Sequence, residues 1–343
     1  MGQLPPYAAE IAVQVERVAS SSAGVDERVA ELLAVLRRLV PYEAGALQVL
    51  DPERYGLETV CAVGYDEAIM EHLHSPQHYQ DVEQLGLGPD RGPVLVRDAL
   101  LTAPEICSWT EHFAPAGFRD GIGVALFSQD GRQVGALGLH TEAAEHPTDE
   151  ARDFLGLLAP LIAEAVDPVR SVAALSTVVT AAAAGVVLTR GGDVLPLPGL
   201  PDHPQLRPGS AVLTAAAESL AEEEPHAAFL CHGDPGAGDR GFARVTVLAC
   251  PSHVPAYLRA VVLLSPPGEL RGLTRRELEI LGLLVDGWSN RRIANTLVIA
   301  PRTVAAHVEH ILAKLAAPSR TLAAVRAFRQ GLYLPRSLTR SRR

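Results

Sequence analysis

Leu273 to Leu332 reads LTRRELEILGLLVDGWSNRRIANTLVIAPRTVAAHVEHILAKLAAPSRTLAAVRAFRQGL, and its punctuation predicts four short helices. Thr274 followed three residues on by Glu277 makes a capping box, in which hydroxyl and carboxylate satisfy amides that a helix start leaves orphaned. Leu278, Leu281, Leu284 and Val285 then mark one face, up to Gly287, a residue suited to the left-handed backbone that closes a helix. Ser289 is placed to cap a second helix carrying Ile293, Ala294 and Leu297. The turn Val298-Ile299-Ala300 leads to Pro301, which favours a first helical turn. In the third helix Val304, Val308, Ile311 and Leu315 step by four, three and four, a stripe that packs on the first two helices. After Pro318, Ser319 caps a fourth helix with Leu322, Val325 and Phe328, ending near Gly331.

The opposite side of the third helix shows Arg302, Ala305, Ala306, Glu309, His310 and Ala313. Small side chains there let a helix settle between the phosphate walls of the DNA major groove, so Ala305, Ala306, Glu309 and His310 are the candidate base-facing residues. Charge points the same way. The whole chain carries a net −10, but residues 269 to 343 carry +9 and the residues before them −19, so one segment is built to approach a polyanion.

These residues resemble the LuxR-type (GerE-like) helix-turn-helix. The likeness is carried in order and without a gap by Leu273, Thr274, Arg276, Glu277, Glu279, Leu281, Gly287, Ser289, Asn290, Ile293, Ala294, Leu297, Ile299, Thr303, Val304, His307, Val308, Ile311, Leu312, Lys314, Leu315 and Arg320. The resemblance implies a transcriptional regulator whose partner is double-stranded DNA. The Pro301 helix would enter the major groove, and the Ser319 helix would pair two subunits into a homodimer. It assigns phosphate contacts to Asn290, Arg291, Thr303 and Lys314; Arg302, at the mouth of the third helix, joins them by its charge. Two departures lower the expected affinity per subunit: Ala300 where a capping hydroxyl is common, and Ala305 and Glu309 where basic or polar groups are common. Glu309 can accept a hydrogen bond from cytosine N4, which predicts selection of C·G at one position.

Working outward, Pro- and Gly-bearing stretches at 167–168, 191–209, 233–241 and 265–272 punctuate the chain, the last dividing acidic from basic territory. Asp26 to Leu39 predicts an amphipathic helix with Asp26 as cap, stripe Val29, Leu32, Leu33 and Leu36. Strands are expected at 45–50, 57–63, 93–96, 121–128 and 133–140, the last two joined by a hairpin at Asp130-Gly131, and a closing helix at 148–166. This block resembles a GAF domain, a sensor fold with an antiparallel sheet between its first and last helices. Such domains bind cyclic nucleotides, haem, flavonoids, metals or nothing, so the small-molecule ligand of this block stays unidentified. The next block predicts a helix at 172–184, a strand and turn at 185–195, a helix at 210–223 and strands at 243–249 and 259–264, an order compatible with a PAS-like domain. The expected organisation is α+β and multidomain: a GAF-like sensor at 1–168, a small α+β domain at 169–265, an all-α helix-turn-helix domain at 266–335 and a basic tail at 336–343, with Arg336, Arg340, Arg342 and Arg343 adding nonspecific attraction.

Other classes are set aside on residue grounds. No apolar run approaches the roughly 20 residues of a membrane span and Met1 to Ser22 lacks the pattern of a secretory leader, so a cytoplasmic protein is expected. Cys61, Cys107, Cys231 and Cys250 form no C-x-x-C pair. There is no G-x-S-x-G, Walker or Rossmann pattern, and the glycine-rich 233–241 stretch lacks the Lys-Ser/Thr of a phosphate loop. No enzyme activity, metal or cofactor is therefore expected. His72, His74 and His78, with His112 near Trp109 and Cys107, carry the weaker alternative of a metal-dependent enzyme. The other alternative is a regulatory scaffold whose helix-turn-helix no longer binds DNA. Arg275, Arg276, Arg326 and Arg329 read as solvated faces more readily than as DNA contacts, and His307 as a packed helix residue.

Overall fold

The computed structural model describes residues 7–21, 23–54, 56–85, 92–102, 106–220, 225–233, 241–251 and 254–339. The glycine-rich segment at 234–240 and the tail residues Arg340, Arg342 and Arg343 lie outside them. The chain divides into two compact units, Met1–Pro168 and Val169–Arg343. Among the described residues no helix is long and apolar enough to cross a membrane.

The first unit is built on five antiparallel strands, β1 (Ala44–Asp51), β2 (Gly56–Val63), β3 (Val94–Leu95), β4 (Asp120–Phe127) and β5 (Gln133–Thr141), in the order β2-β1-β5-β4-β3. Side chains alternate across this sheet. Leu47, Ile122, Val124, Leu137 and Leu139 share a buried cluster with helices α1 (Ala8–Ala19), α2 (Val25–Leu36) and α6 (Asp149–Val166). Ala44 and Ala46 belong to a second cluster with α3 (Glu67–Leu73), α5 (Val96–Thr102) and a π-helical turn at Ser108–Phe113; α4 (Pro76–Gln84) completes that layer. The hairpin turns at Gly131, whose φ is +81°. Two sequence expectations need correction. The cap of α2 is Gly24, with no side-chain bond, and not Asp26, which lies inside the first turn where its charge favours the helix dipole. The helix α1 was not expected at all, although Ile11, Val15 and Val18 are spaced four and three apart and are fully buried.

The second unit holds another five-stranded antiparallel sheet, β6 (Ala184–Thr189), β7 (Val194–Pro196), β8 (His226–His232), β9 (Phe242–Ala249) and β10 (Leu258–Ser265), in the order β7-β6-β10-β9-β8. Counted within each unit, the two sheets have the same order, and the small α+β expectation takes this form. The helix expected at 172–184 is shorter: α7 (Pro168–Ala173) passes into a 3-10 turn at Ala174–Val178. Thr177, Val178, Val179 and Thr180 are all β-branched and resist a helix, and β6 begins at Ala184. α8 (Ala211–Ser219) matches the next expected helix. β8 was missed because HAAFLCH is short and its polar ends give no alternation.

The four helices of the quoted stretch follow as α9 (Arg275–Val285), α10 (Asn290–Leu297), α11 (Pro301–Lys314) and α12 (Arg320–Gln330). The expected break at 265 to 266 falls inside the second unit. Val245, Val247, Phe229 and Val262 of the sheet and Leu278, Leu281, Ile311 and Leu334 of the helical part belong to one buried cluster. Polar bonds close the same joint: the Leu230 amide donates to the Tyr333 carbonyl at 2.8 Å, and the Arg244 guanidinium donates to the Gln330 carbonyl at 2.8 Å. Burial lowers the Arg244 pKa, and the Gln330 and Pro267 carbonyls that accept from it compensate for a guanidinium taken out of water.

Candidate nucleic-acid interface

The capping box forms as expected. Thr274 Oγ1 accepts from the Glu277 amide at 3.3 Å, while Glu277 Oε2 accepts from the Thr274 amide at 2.7 Å and from its hydroxyl at 2.8 Å. Gly287 has φ +76°, and Ser289 and Ser319 accept from the amides of Arg292 and Leu322. The α10–α11 turn places Val298 at φ +53° with 82% of its surface exposed, a strained conformation for a β-branched residue. Val304, Ile311 and Leu315 are buried and Val308 half-buried, so the stripe of α11 faces the other helices.

That packing turns the opposite side of α11 outward. Arg302, Thr303, Ala306, Glu309 and His310 are exposed and Ala305 is half-buried. Arg291 is exposed at the start of α10 and Asn290 is half-buried beside it; Asn290 Oδ1 is enclosed and has no hydrogen-bond partner among the described residues. Lys314 is differently placed: its Nζ lies 2.6 Å from Glu277 Oε2 and only 31% of its side chain is exposed. Burial works to raise the Glu277 pKa, but the bonds from Lys314 and Thr274 together hold it below the ordinary carboxylate range. Lys314, the chain's sole lysine, therefore ties the end of α11 to the start of α9.

The remaining arginines separate into roles that sequence reasoning left open. Arg276 binds Glu279 at 2.8 Å and the Leu297 carbonyl at 2.9 Å, closing the end of α10. Arg275 pairs with Glu279 at 3.4 Å. Arg326 donates to the Leu315 and Ala316 carbonyls at the end of α11, and Arg320 to the Trp288 carbonyl. Arg292, not singled out by the sequence, is exposed and lies over the Trp288 ring at 3.8 Å. No bond to another residue is described for Arg291 or Arg302, which leaves both guanidinium groups available to an outside anion.

The first unit contains a separate, largely apolar pocket on the side of its sheet lined by Ala46, Gly123, Ala136 and Gly138, whose small side chains leave a cavity of about 80 Å³. Its wall includes Gln48, Tyr65, His78, Asp81, Ser108 and His140. The histidines bond to protein groups. His72 Nε2 lies 2.7 Å from Ser108 Oγ, His78 Nε2 3.0 Å from Gln48 Oε1, and His140 Nδ1 2.6 Å from the Tyr65 hydroxyl. His74 is exposed, its Nδ1 2.8 Å from the Met70 carbonyl. Burial pushes the His78 pKa down to about 4 and the His140 pKa down to about 3, so both rings are neutral at neutral pH. His72, His74 and His78 do not converge on one point: among the described residues the cluster with metal-ligand spacing is Glu277, His307 and His310.

Comparison with known proteins divides along the same lines. Residues 271–327 match the description of bacterial regulatory proteins, luxR family, and residues 22–167 that of the GAF domain. The transcriptional regulatory protein DegU of Brevibacillus brevis is 48% identical over 59 residues, 17% of this chain and 25% of DegU. The transcriptional regulatory protein LnrK of Bacillus subtilis is 41% identical over 75 residues, 22% of this chain and 34% of LnrK. The chain thus spans about a quarter to a third of the length of these relatives. Among solved structures, Escherichia coli SdiA aligns over 95% of this chain and 98% of its own at 17% identity, with a TM-score of 0.34.

Proposed function

We propose that this chain, with a GAF domain at 22–167 and a luxR-family helix-turn-helix at 271–327, is a cytoplasmic regulator of transcription that binds double-stranded DNA. The observation that carries the reading is the small-residue side of α11, open to solvent and bordered by the uncommitted Arg291 and Arg302. In this reading α11 lies in the major groove with Ala305, Ala306, Glu309 and His310 toward base edges. Asn290, Arg291, Arg302 and Thr303 meet phosphates, and Lys314 holds the helix in place while adding charge nearby. Val325 and Phe328 of α12, 42% and 39% exposed, offer an apolar patch to a second copy on a two-fold operator.

Gating by the GAF domain is the finer part of the proposal. A cavity of about 80 Å³ with a largely apolar wall is smaller than the roughly 150 Å³ that accommodates benzene, so the ligand of this reading is an apolar molecule of few heavy atoms. The test is retention on random duplex at two salt concentrations, then selection of preferred fragments. Binding should weaken steeply with salt, while a scaffold without DNA affinity would show no retention at either. With the preferred sequence known, Glu309→Gln is expected to relax a C·G preference at one position; identical preferences at every position would refute that role.

A further inference from the structure

We propose that Glu277, His307 and His310 bind one divalent transition-metal ion of the zinc class on the exposed side of α11. One ligand atom from each of the three lies within 4.8 Å of the other two, and His310 Nδ1 is 3.9 Å from Glu277 Oε1. A four-coordinate ion with bonds of about 2.0–2.2 Å holds its ligands roughly 3.3–3.6 Å apart, so closure needs movements of about 1 Å. The His310 side chain, 68% exposed, can supply them by turning. His307 and His310 are three apart on one helix and so share a face.

Glu277 gives the site its fixed wall. Its side chain is 3% exposed, and Oε2 already accepts from the Thr274 amide, the Thr274 hydroxyl and Lys314 Nζ. The carboxylate is thereby oriented before any ion arrives, and Oε1 faces His310. Two imidazole nitrogens and one carboxylate oxygen suit zinc, nickel or copper, whereas magnesium and calcium prefer all-oxygen sites. The Lys314 ammonium on the same carboxylate opposes the ion's charge, which sets this site apart from a high-affinity structural zinc centre. Three protein ligands leave a position toward solvent for water or a phosphate oxygen. A bound ion also takes His310 away from base edges and adds two positive charges there. That consequence rests on the DNA-binding reading; the metal site does not.

The experiment is a Co²⁺ titration of the chelator-stripped full chain, read by the visible ligand-field bands of low-coordinate cobalt, without DNA. Bands are expected to saturate at one equivalent and to disappear on adding Zn²⁺. His310→Ala, an exposed change that leaves the capping box intact, should weaken cobalt binding about a hundredfold, since loss of even an outer-shell partner costs tenfold to a hundredfold. A His74→Ala/His112→Ala variant should behave like the unaltered chain. Absence of bands at millimolar cobalt, or bands unchanged in His310→Ala, overturns the proposal. Zinc should also alter duplex retention several-fold in the unaltered chain and not in His310→Ala. Equal retention with bands present would overturn the effect on DNA and leave the site standing.

Discussion

Gly282→Ala is a substitution for which local and tertiary reasoning give opposite signs. Gly282 lies within α9, where alanine is worth about 1 kcal/mol more than glycine by helix propensity. In this protein an added Cβ would stand 1.9 Å from the Leu334 carbonyl oxygen and 2.9 Å from its carbon. The obstacle is backbone, so no rotamer change relieves it, and the segment at 332–334 has to retreat. Leu332 and Leu334 are 3% and 0% exposed, and full exposure of either would cost about 1.5–3 kcal/mol. Taking partial retreat as an overpacking cost of about 2–4 kcal/mol and subtracting the helix gain leaves a net loss of about 1–3 kcal/mol. Urea unfolding can be followed by Trp288 fluorescence in a Trp109→Phe background, since the chain has two tryptophans. With a slope of about 2 kcal/mol/M, the midpoint should fall by roughly 0.5–1.5 M. An unchanged or higher midpoint would refute the claim that α9 and the 332–334 segment are locked together.

Further outcomes follow from the same geometry. Arg291→Ala and Arg302→Ala should each flatten the slope of log affinity against log salt by about 0.9 and weaken binding to all duplexes alike, measured by fluorescence anisotropy. Lys314→Met should instead lower the unfolding midpoint, because it strips the main cationic partner from the buried Glu277 carboxylate, at a cost of about 1–3 kcal/mol. Val298→Asn should stabilise by about 1 kcal/mol, since asparagine tolerates the left-handed region and the exposed valine contributes little packing; a lower melting temperature would count against strain there. For the GAF domain, the unfolded chain protonates His78 and His140 near pH 6.5, whereas the folded protein does so only near 4 and 3. The unfolded state therefore binds more protons between those values, and stability present above pH 6.5 should decline as pH falls toward 4. His140→Phe, which keeps the stacking on Phe113, should flatten that decline in thermal melts taken across the range; an identical pH profile would exclude His140 as a source.

The helix-turn-helix was legible because its signals are local. A capping box, a left-handed glycine, serine caps and a 4-3-4 apolar stripe each act within a turn or two of backbone, and the five strands of the GAF domain were bounded by turn residues that work over similar distances. The side of α11 that faces outward followed from periodicity alone, and so did its candidate base-facing residues. Tertiary structure decided which charged groups remain free: Arg276 and Arg326 read as solvated faces in the sequence, but carbonyls from other turns and helices occupy them and Arg320, and Lys314, expected at a phosphate, closes on Glu277 across 37 positions. That residues on both sides of position 265 share one buried cluster was likewise invisible. A proline- and glycine-bearing stretch marks where the chain turns, while the merging of two cores depends on long-range approaches such as Gly282 to Leu334 and Leu230 to Tyr333. Local backbone preferences are written residue by residue in a sequence; the pairing of buried charges and surfaces depends on which distant segments the fold brings within a bond length.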